Sequence, residues 1–348
     1  MTARAYLDWN ATAPLRPEAR AAMVQAMDVV GNPSSVHAEG RAAKALMEAC
    51  RGRVAQALGA DAEEVIFTSG ATESAAIALN GRGLRGADIE HDAVVARIDP
   101  VLPVDPDGQV TLDDPATSCL QWANSETGVL QELPQGLAVS DLTQGIGKLP
   151  FAFGWSGLGA GLVSGHKLGA PKGVGVLLLK GGTEPASPIA GGGQERGRRG
   201  GTENLIGIAG MAAALDAALA DLSRGVWERV AQLRDILEKA LEAEATDTIF
   251  VGNGSRRLPN TSCIATRGWK GETQVMQMDL AGFAISAGSA CSSGKVRASR
   301  VLRAMGHDDE MAASAVRVSI GPDTKEDDIS RFAQAWLSSH RKFRARAA

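Results

Sequence analysis

Aromatic side chains are scarce in this 348-residue chain, at 4%, and Tyr6 is its single tyrosine. A strong excess of either charge is also missing, since 36 lysines and arginines face 40 acidic residues for a formal net charge of -4. That balance gives no reason to expect nucleic acid or an anionic membrane as a partner. No apolar run approaches the roughly 20 residues that span a bilayer, and "MTARAYLDWN" reaches Asp8 before any apolar stretch forms, so no secretory signal is expected. Cysteine is limited to Cys50, Cys119, Cys263 and Cys291, without a C-x-x-C pair or a cysteine-histidine spacing suited to zinc. No metal is expected, and reduced thiols in a cytoplasmic protein are the default. What is present, 44% hydrophobic and 22% charged residues, describes an ordinary globular chain long enough for a large domain and a smaller one.

The pattern reads as α/β. "EVIFTSG" (64–70), "SCLQWAN" (118–124), "GLVSGHK" (161–167) and "GVGVLLLK" (173–180) have the look of short buried strands ended by turn residues. Alanine-rich helical stretches at 16–28, 39–58 and 71–80 lie around them, which favours a mainly parallel sheet covered on both faces. Two long helical patterns follow the glycine-rich stretch 191–201. From about 250, strand-like pieces ("SCIATRG", "FAISAGS", "AVRVSIG") and a charged helical tail suggest a smaller α+β domain.

Four local constellations could carry chemistry. In "FTSGATESAAIALN" a strand enters a small-residue turn and then a helix near Ala71, aiming backbone N–H groups and the Thr72 hydroxyl at an anion such as phosphate. Taken alone it is equally a strand-to-helix connection capped by Thr72 or Ser69, and the stretch contains neither G-x-x-x-x-G-K-[ST] nor G-x-G-x-x-G. In "VSGHKLGAPKGVG", Lys167 ends a strand beside His166 and Ser164, where desolvation would make its amine a Schiff-base nucleophile; a lone lysine is more commonly a solvated surface residue. Asp141 and Gln144 in "AVSDLTQGIGK" could meet a protonated ring nitrogen and a phenolic oxygen, or simply cap a turn. "GGGQERGRRGGTEN" (191–204) could handle an anion or another subunit, or form a basic surface loop. Together, a phosphate site, an amine and an acid for a pyridinium nitrogen are the protein's share of pyridoxal phosphate (PLP) chemistry.

The blocks "YLDWNATAP", "GNPSSVH", "VIFTSGATES", "EHDAVV", "ANSETGVLQ", "DLTQGIGKLP", "SGHKLGAPKGVG", "GGGQERGRRGGTEN", "ISAGSACSSG" and "VRVSIG" occur in this order along nearly the whole chain. In this the chain resembles the cysteine desulfurases of the class V aminotransferase family, PLP enzymes that take sulfur from L-cysteine and leave alanine. The resemblance implies PLP fold type I: a large domain over 13–245 with a mainly parallel mixed sheet covered by helices, and a small α+β domain built from 1–12 and 246–348 that carries the catalytic cysteine loop. It implies that Lys167 binds the cofactor as a Schiff base, that Asp141 keeps the ring nitrogen protonated, and that Gln144 serves the phenolic oxygen. His91 would stack on the ring and act as acid and base. Ala71, Thr72, Ser164 and His166 would bind the phosphate, with Thr202 reaching the phosphate of a neighbouring subunit in a homodimer. Asn10, Asn124, Ser125 and Arg317 would bind substrate, Arg317 by clamping its carboxylate.

By the same resemblance Cys291 is the nucleophile that becomes the persulfide, for transfer to an acceptor such as an iron-sulfur scaffold. Lys295, Arg297 and His91 are candidates for raising its thiolate fraction. Its neighbours in "SAGSACSSGK" lead us to expect a mobile loop that visits both cofactor and surface. Cys50 and Cys119, in apolar patterns, read as small buried hydrophobes. The chain departs from the family in having Ser125 where a second asparagine is expected ("NNETG"). It is also shorter between His91 and Asn124 and between Gln131 and Asp141, which should trim crossover helices and leaves the docking partner open. A selenocysteine lyase, another class V aminotransferase and a catalytically silent scaffold are the competing readings. The thiol at Cys291 speaks against the aminotransferase, since transamination needs no thiol nucleophile.

Overall fold

The computed structural model describes residues 4–183, 185, 189, 191–288 and 298–347. Cys291, with its neighbours in 289–297, lies outside the described residues, and so does the expectation about its loop.

The main sheet begins with the strands Val65–Thr68, Gly175–Leu179, Ala160–Ser164 and Ser140–Asp141, in that spatial order. Parallel bridges Cys119 to Val139 and Arg85 to Ser118 extend it through residues 118–122 to the parallel pair Arg85–Ala87 and Asp99–Leu102. All of these run in one direction except Gly175–Leu179, which is antiparallel to both neighbours. The reversal follows from chain length. The connection 165–174 is too short for the helical crossover that a parallel return needs, and it is spent on the 3-10 turn Gly165–Lys167. The stretch read as the strand 118–124 is extended, with Leu120 N donating to Val139 O and Trp122 N to Asp141 O, yet it pairs only through single bridges before the chain turns at Asn124.

The sheet is covered on both faces, as its near-continuous apolar strands require. Val163, Val176 and Leu178 face one core with Val54, Leu58, Met211 and Leu215, while Leu162, Leu177 and Leu179 face another with Ala75, Ile77 and Leu79. The helices Pro17–Met27, Ala38–Leu58 and Leu205–Ser223 build the first layer. Contrary to the reading that no run is long enough, Leu205–Ser223 has the length and composition to cross a bilayer, but it packs into this core against the other two helices.

A second core centres on the antiparallel sheet Ser286–Ala287, Ala315–Ser319, Thr261–Thr266, Thr248–Phe250. The N-terminal Ala5–Tyr6 joins this body by pairing with Phe283–Ala284. Trp269, Phe332 and Trp336 pack there, together with Trp227, Val230, Leu233, Leu237 and Leu241 of the helix Val226–Glu242, which precedes the expected boundary at 245. The two shortened spans hold no helix beyond the four-residue Asp92–Val95 and the 3-10 turn Pro115–Thr117. Beside them lies a groove of about 930 Å³ lined in part by Trp122, Leu133, Phe151 and Trp155, the last 87% exposed.

Candidate active site

A cleft of about 670 Å³ opens at the carboxyl ends of Val65–Thr68, Ser140–Asp141 and Ala160–Ser164, the position where open α/β sheets bind ligands. Its lining brings together Ala71, Thr72, His91, Asp141, Gln144, Ser164, His166 and Lys167, eight residues that the sequence scattered over about a hundred positions.

One end is built for an anion. Gly70 (φ 153°, ψ 178°) turns the strand Val65–Thr68 into the helix Ala71–Leu79, and no side chain caps that helix. Its first amides are therefore left for a ligand. Only glycine fits behind the turn: a Cβ on Gly175 would lie 2.5 Å from Gly70 Cα. Glu73 ties the turn to the arginine-rich loop, accepting from Ser69 N at 2.7 Å and from Arg199 Nε at 2.8 Å. His166 places Nδ1 3.1 Å from Thr12 Oγ1. Burial, then the charges of Lys167, Lys172 and His91, lower its pKa to about 4, so the ring is neutral at physiological pH.

The other end gathers the groups suited to a ring. Lys167 Nζ donates to Asn10 O at 2.7 Å and Ala11 O at 2.8 Å. Gln144 Nε2 donates to the same Asn10 O at 3.0 Å. Asp141 is steadied by Thr143 N, which donates to Oδ1 at 3.0 Å. His91 caps the helix Asp92–Val95, its Nδ1 accepting from Ala93 N at 3.1 Å, so Nε2 carries the proton of the neutral ring.

The residues expected to bind substrate stand beside this cleft and are more engaged than the sequence suggested. Arg317, 6% exposed, donates Nη2 to Asp8 Oδ1 at 2.7 Å and Nη1 to Ser125 O at 3.0 Å, while its buried Nε has no hydrogen-bond partner among the described residues. Ser125 thus contributes its carbonyl to Arg317, and the same oxygen accepts from Asn10 Nδ2. The Asn10 amide also bonds Thr261 and Asn260, and Asn124 Oδ1 accepts from the amides of Glu126 and Thr127. Both asparagines hold structure with their side chains; the group that Asn10 presents to Lys167 is its backbone oxygen.

Asp8, Thr12, Lys148 and Lys172 were missed. Asp8 had a signal in "YLDWN", next to the expected Asn10, but nothing local distinguishes Lys148 or Lys172 from surface lysines. Thr202 is exposed and does not line this cleft. Cys50, Cys119 and Cys263 are buried, and burial pushes all three thiols up, Cys263 to about 12. Among the described residues no group of three or more His, Cys, Asp or Glu side chains is arranged to hold a metal ion.

The aminotransferase class-V family matches residues 5–332. A cysteine desulfurase of Cereibacter sphaeroides is 37% identical, over 94% of this chain and 93% of its own length. The cysteine desulfurase NifS of Azotobacter vinelandii is 36% identical, over 94% and 90%. Among solved structures, a NifS-like protein from Rickettsia africae ESF-5 superposes with a TM-score of 0.88 at 29% identity, covering 97% of this chain and 99% of that one.

Proposed function

Since the chain belongs to the class-V aminotransferase family and is a PLP-dependent cysteine desulfurase within it, we propose that the cleft at the strand ends holds pyridoxal phosphate and that Cys291 receives the sulfur. The observation that carries this reading is the juxtaposition, in one cleft, of an uncapped helix terminus, Lys167 and Asp141. The donor set fits the cofactor. The amides of Ala71 and Thr72, with Ser164 and neutral His166, suit its phosphate, and Lys167 would hold it covalently through its amine. Asp141 would keep a proton on the ring nitrogen, while Gln144 would donate to the ring oxygen.

When bound, PLP supplies an electron sink for negative charge at the substrate's α-carbon. The chain's own groups do the rest. The locked tautomer of His91 leaves Nε2 to exchange a proton. Arg317 would meet the substrate carboxylate with its planar guanidinium, which Asp8 and Ser125 O hold in place. Cys291, as thiolate, attacks the substrate sulfur. The Cβ–S bond breaks with its electron pair left on carbon, which takes up a proton to become the methyl group of alanine, and the sulfur stays on Cys291 as a persulfide. The exposed Thr202 supports a homodimer in which the loop 191–201 delivers it to the partner's cofactor phosphate. An iron-sulfur scaffold protein is the proposed sulfur acceptor.

The test is spectroscopic and chemical. The purified protein with PLP is expected to show a visible band that Lys167→Ala abolishes, and to release alanine from L-cysteine. Cys291→Ala should keep the band and form no persulfide. A protein that takes up no added PLP refutes the reading; preference for selenocysteine, or transamination of 2-oxo acids without sulfur release, replaces it with one of the alternatives.

A further inference from the structure

We infer that Lys148 is a positioning residue for the cofactor ring: it fixes the side-chain amide of Gln144 so that Nε2, and not Oε1, is presented to the cleft. The inference rests on the reading of that cleft as a PLP site and assigns a task to a lysine that does not line it.

Lys148 is 4% exposed and has no carboxylate partner among the described residues. An unpaired cation is costly to bury, so its two hydrogen bonds carry the explanation. Both go to one residue four positions earlier, Gln144 O at 2.9 Å and Gln144 Oε1 at 2.9 Å. A lysine ammonium has three donors and no acceptor, whereas an amide offers one face of each kind. The amide oxygen must therefore turn to Lys148, and the nitrogen is forced to the opposite side, where Nε2 meets Asn10 O at 3.0 Å next to Lys167 Nζ. A second N–H of that nitrogen remains for a ring oxygen. Burial, with the charges of Lys167 and Arg317, lowers the Lys148 pKa to about 7. The orientation survives loss of that proton, because a neutral amine still has two N–H groups for its two acceptors. Asn10 O favours the same orientation, so loss of Lys148 removes one of the two contacts that oppose a flip placing Oε1, a lone-pair donor, against an anionic ring oxygen.

The experiment measures, for the full-length protein, the dissociation constant of PLP and the pH midpoint of the visible band of the loaded enzyme. The titratable groups facing that site are Lys167, Asp141, His166, His91, Asp92 and Lys172 in the cleft, with Lys148 outside its lining and Arg317 charged nearby. Lys148→Met is expected to weaken PLP about tenfold, the size of one hydrogen bond to a charged acceptor, and to raise the midpoint by about one pH unit, because a ring oxygen deprived of its donor holds a proton more tightly. Lys148→Arg, which keeps the donors, should stay within threefold of the parent. In a Gln144→Leu background Lys148→Met should change neither quantity further. Unchanged affinity and midpoint in Lys148→Met, or an equal shift with and without Gln144→Leu, overturns the inference. If Lys148→Met does not fold, Lys148→Leu, which likewise lacks a donor, decides in the same two backgrounds by the same criteria. Failure of the parent protein to bind PLP would refute the reading of the cleft itself, a distinguishable result.

Discussion

Replacing Glu195 with alanine leaves a buried cation with only the half-exposed Glu48, 3.1 Å from Arg51 Nε, as a carboxylate partner among the described residues, and the size of the loss can be worked from its contacts. Glu195 accepts from Arg51 Nη1 and Nη2, both at 2.8 Å, and from Phe67 N at 2.9 Å, with the two charged side chains 1% and 5% exposed. Arg51 also lies over the Phe67 ring, 4.8 Å from its centroid. Removing one member of such a pair costs about 3–5 kcal/mol, and an orphaned backbone amide adds about 1–3 kcal/mol. Against this, Glu195 and Arg196 are held at φ 46° and 59°, and a freed loop could recover about 1–3 kcal/mol of backbone strain. The net expectation, about 3–5 kcal/mol, is a large share of a typical domain's stability. Urea unfolding of the PLP-free protein at fixed concentration should show the midpoint of Glu195→Ala lowered by more than 1 M, taking a slope of about 3 kcal/mol per M. The double variant Arg51→Met, Glu195→Leu leaves no charge stranded and should lose less than either single change. A Glu195→Ala midpoint within 0.3 M of the parent, a margin of about 1 kcal/mol on that slope, or a double variant that loses the sum of the singles, would refute the reasoning.

Three further expectations concern the cleft and its supports. Gly175→Ala puts a methyl group 2.5 Å from Gly70 Cα and 2.7 Å from Val163 O, so the anion turn must shift. PLP affinity should fall at least about tenfold, the effect of one lost charge-assisted hydrogen bond; unchanged binding in a titration would contradict the assignment of that turn. Gly145→Ala drives a Cβ to 2.1 Å from Trp122 Cε3 and should cost about 1–3 kcal/mol by overpacking, read from urea unfolding monitored by tryptophan fluorescence. Burial lowers the His166 pKa in the folded protein to about 4 from its ordinary value of 6.5. Between those values the unfolded chain binds more protons, so stability is fully present above pH 6.5 and declines as pH falls towards 4. His166→Gln should flatten that acid limb, and an identical pH dependence of the urea midpoint in both proteins would sink the claim.

The strands were legible because "VIFT" and "VLLL" are short apolar runs closed by glycine and polar turns, and the helices because alanine-rich stretches are bounded by caps such as His37 and the left-handed Gly59. Strand direction was not. That Gly175–Leu179 runs against its neighbours depends on the brevity of 165–174, and the sequence does not mark which strands become neighbours. In the cleft, Lys167 was legible through its neighbours and the block order. Lys148 was not, since its burial comes from packing that no local pattern records. The Arg51–Glu195 pair joins residues 144 positions apart, and each looks like a surface charge when read locally. Asn10 and Asn124 were assigned to substrate through the family resemblance, and their side chains are engaged by Thr261, Asn260 and the turn at Glu126, the ordinary fate of a buried amide.

The helix-free turn between Gln131 and Leu137 has a practical side. Glu132, Gln135 and Gly136 are exposed, Gly136 has open space around it at φ 81°, and the turn borders the groove of Trp122 and Phe151 and contributes no residue to the lining of the cleft. Exposed loop tips of this kind accept foreign sequence with little thermodynamic penalty. An affinity tag, a fluorescent reporter or a helix grafted from a longer desulfurase could be spliced in at Gly136, making this turn a handle by which the enzyme can be immobilised or tethered to a chosen sulfur acceptor.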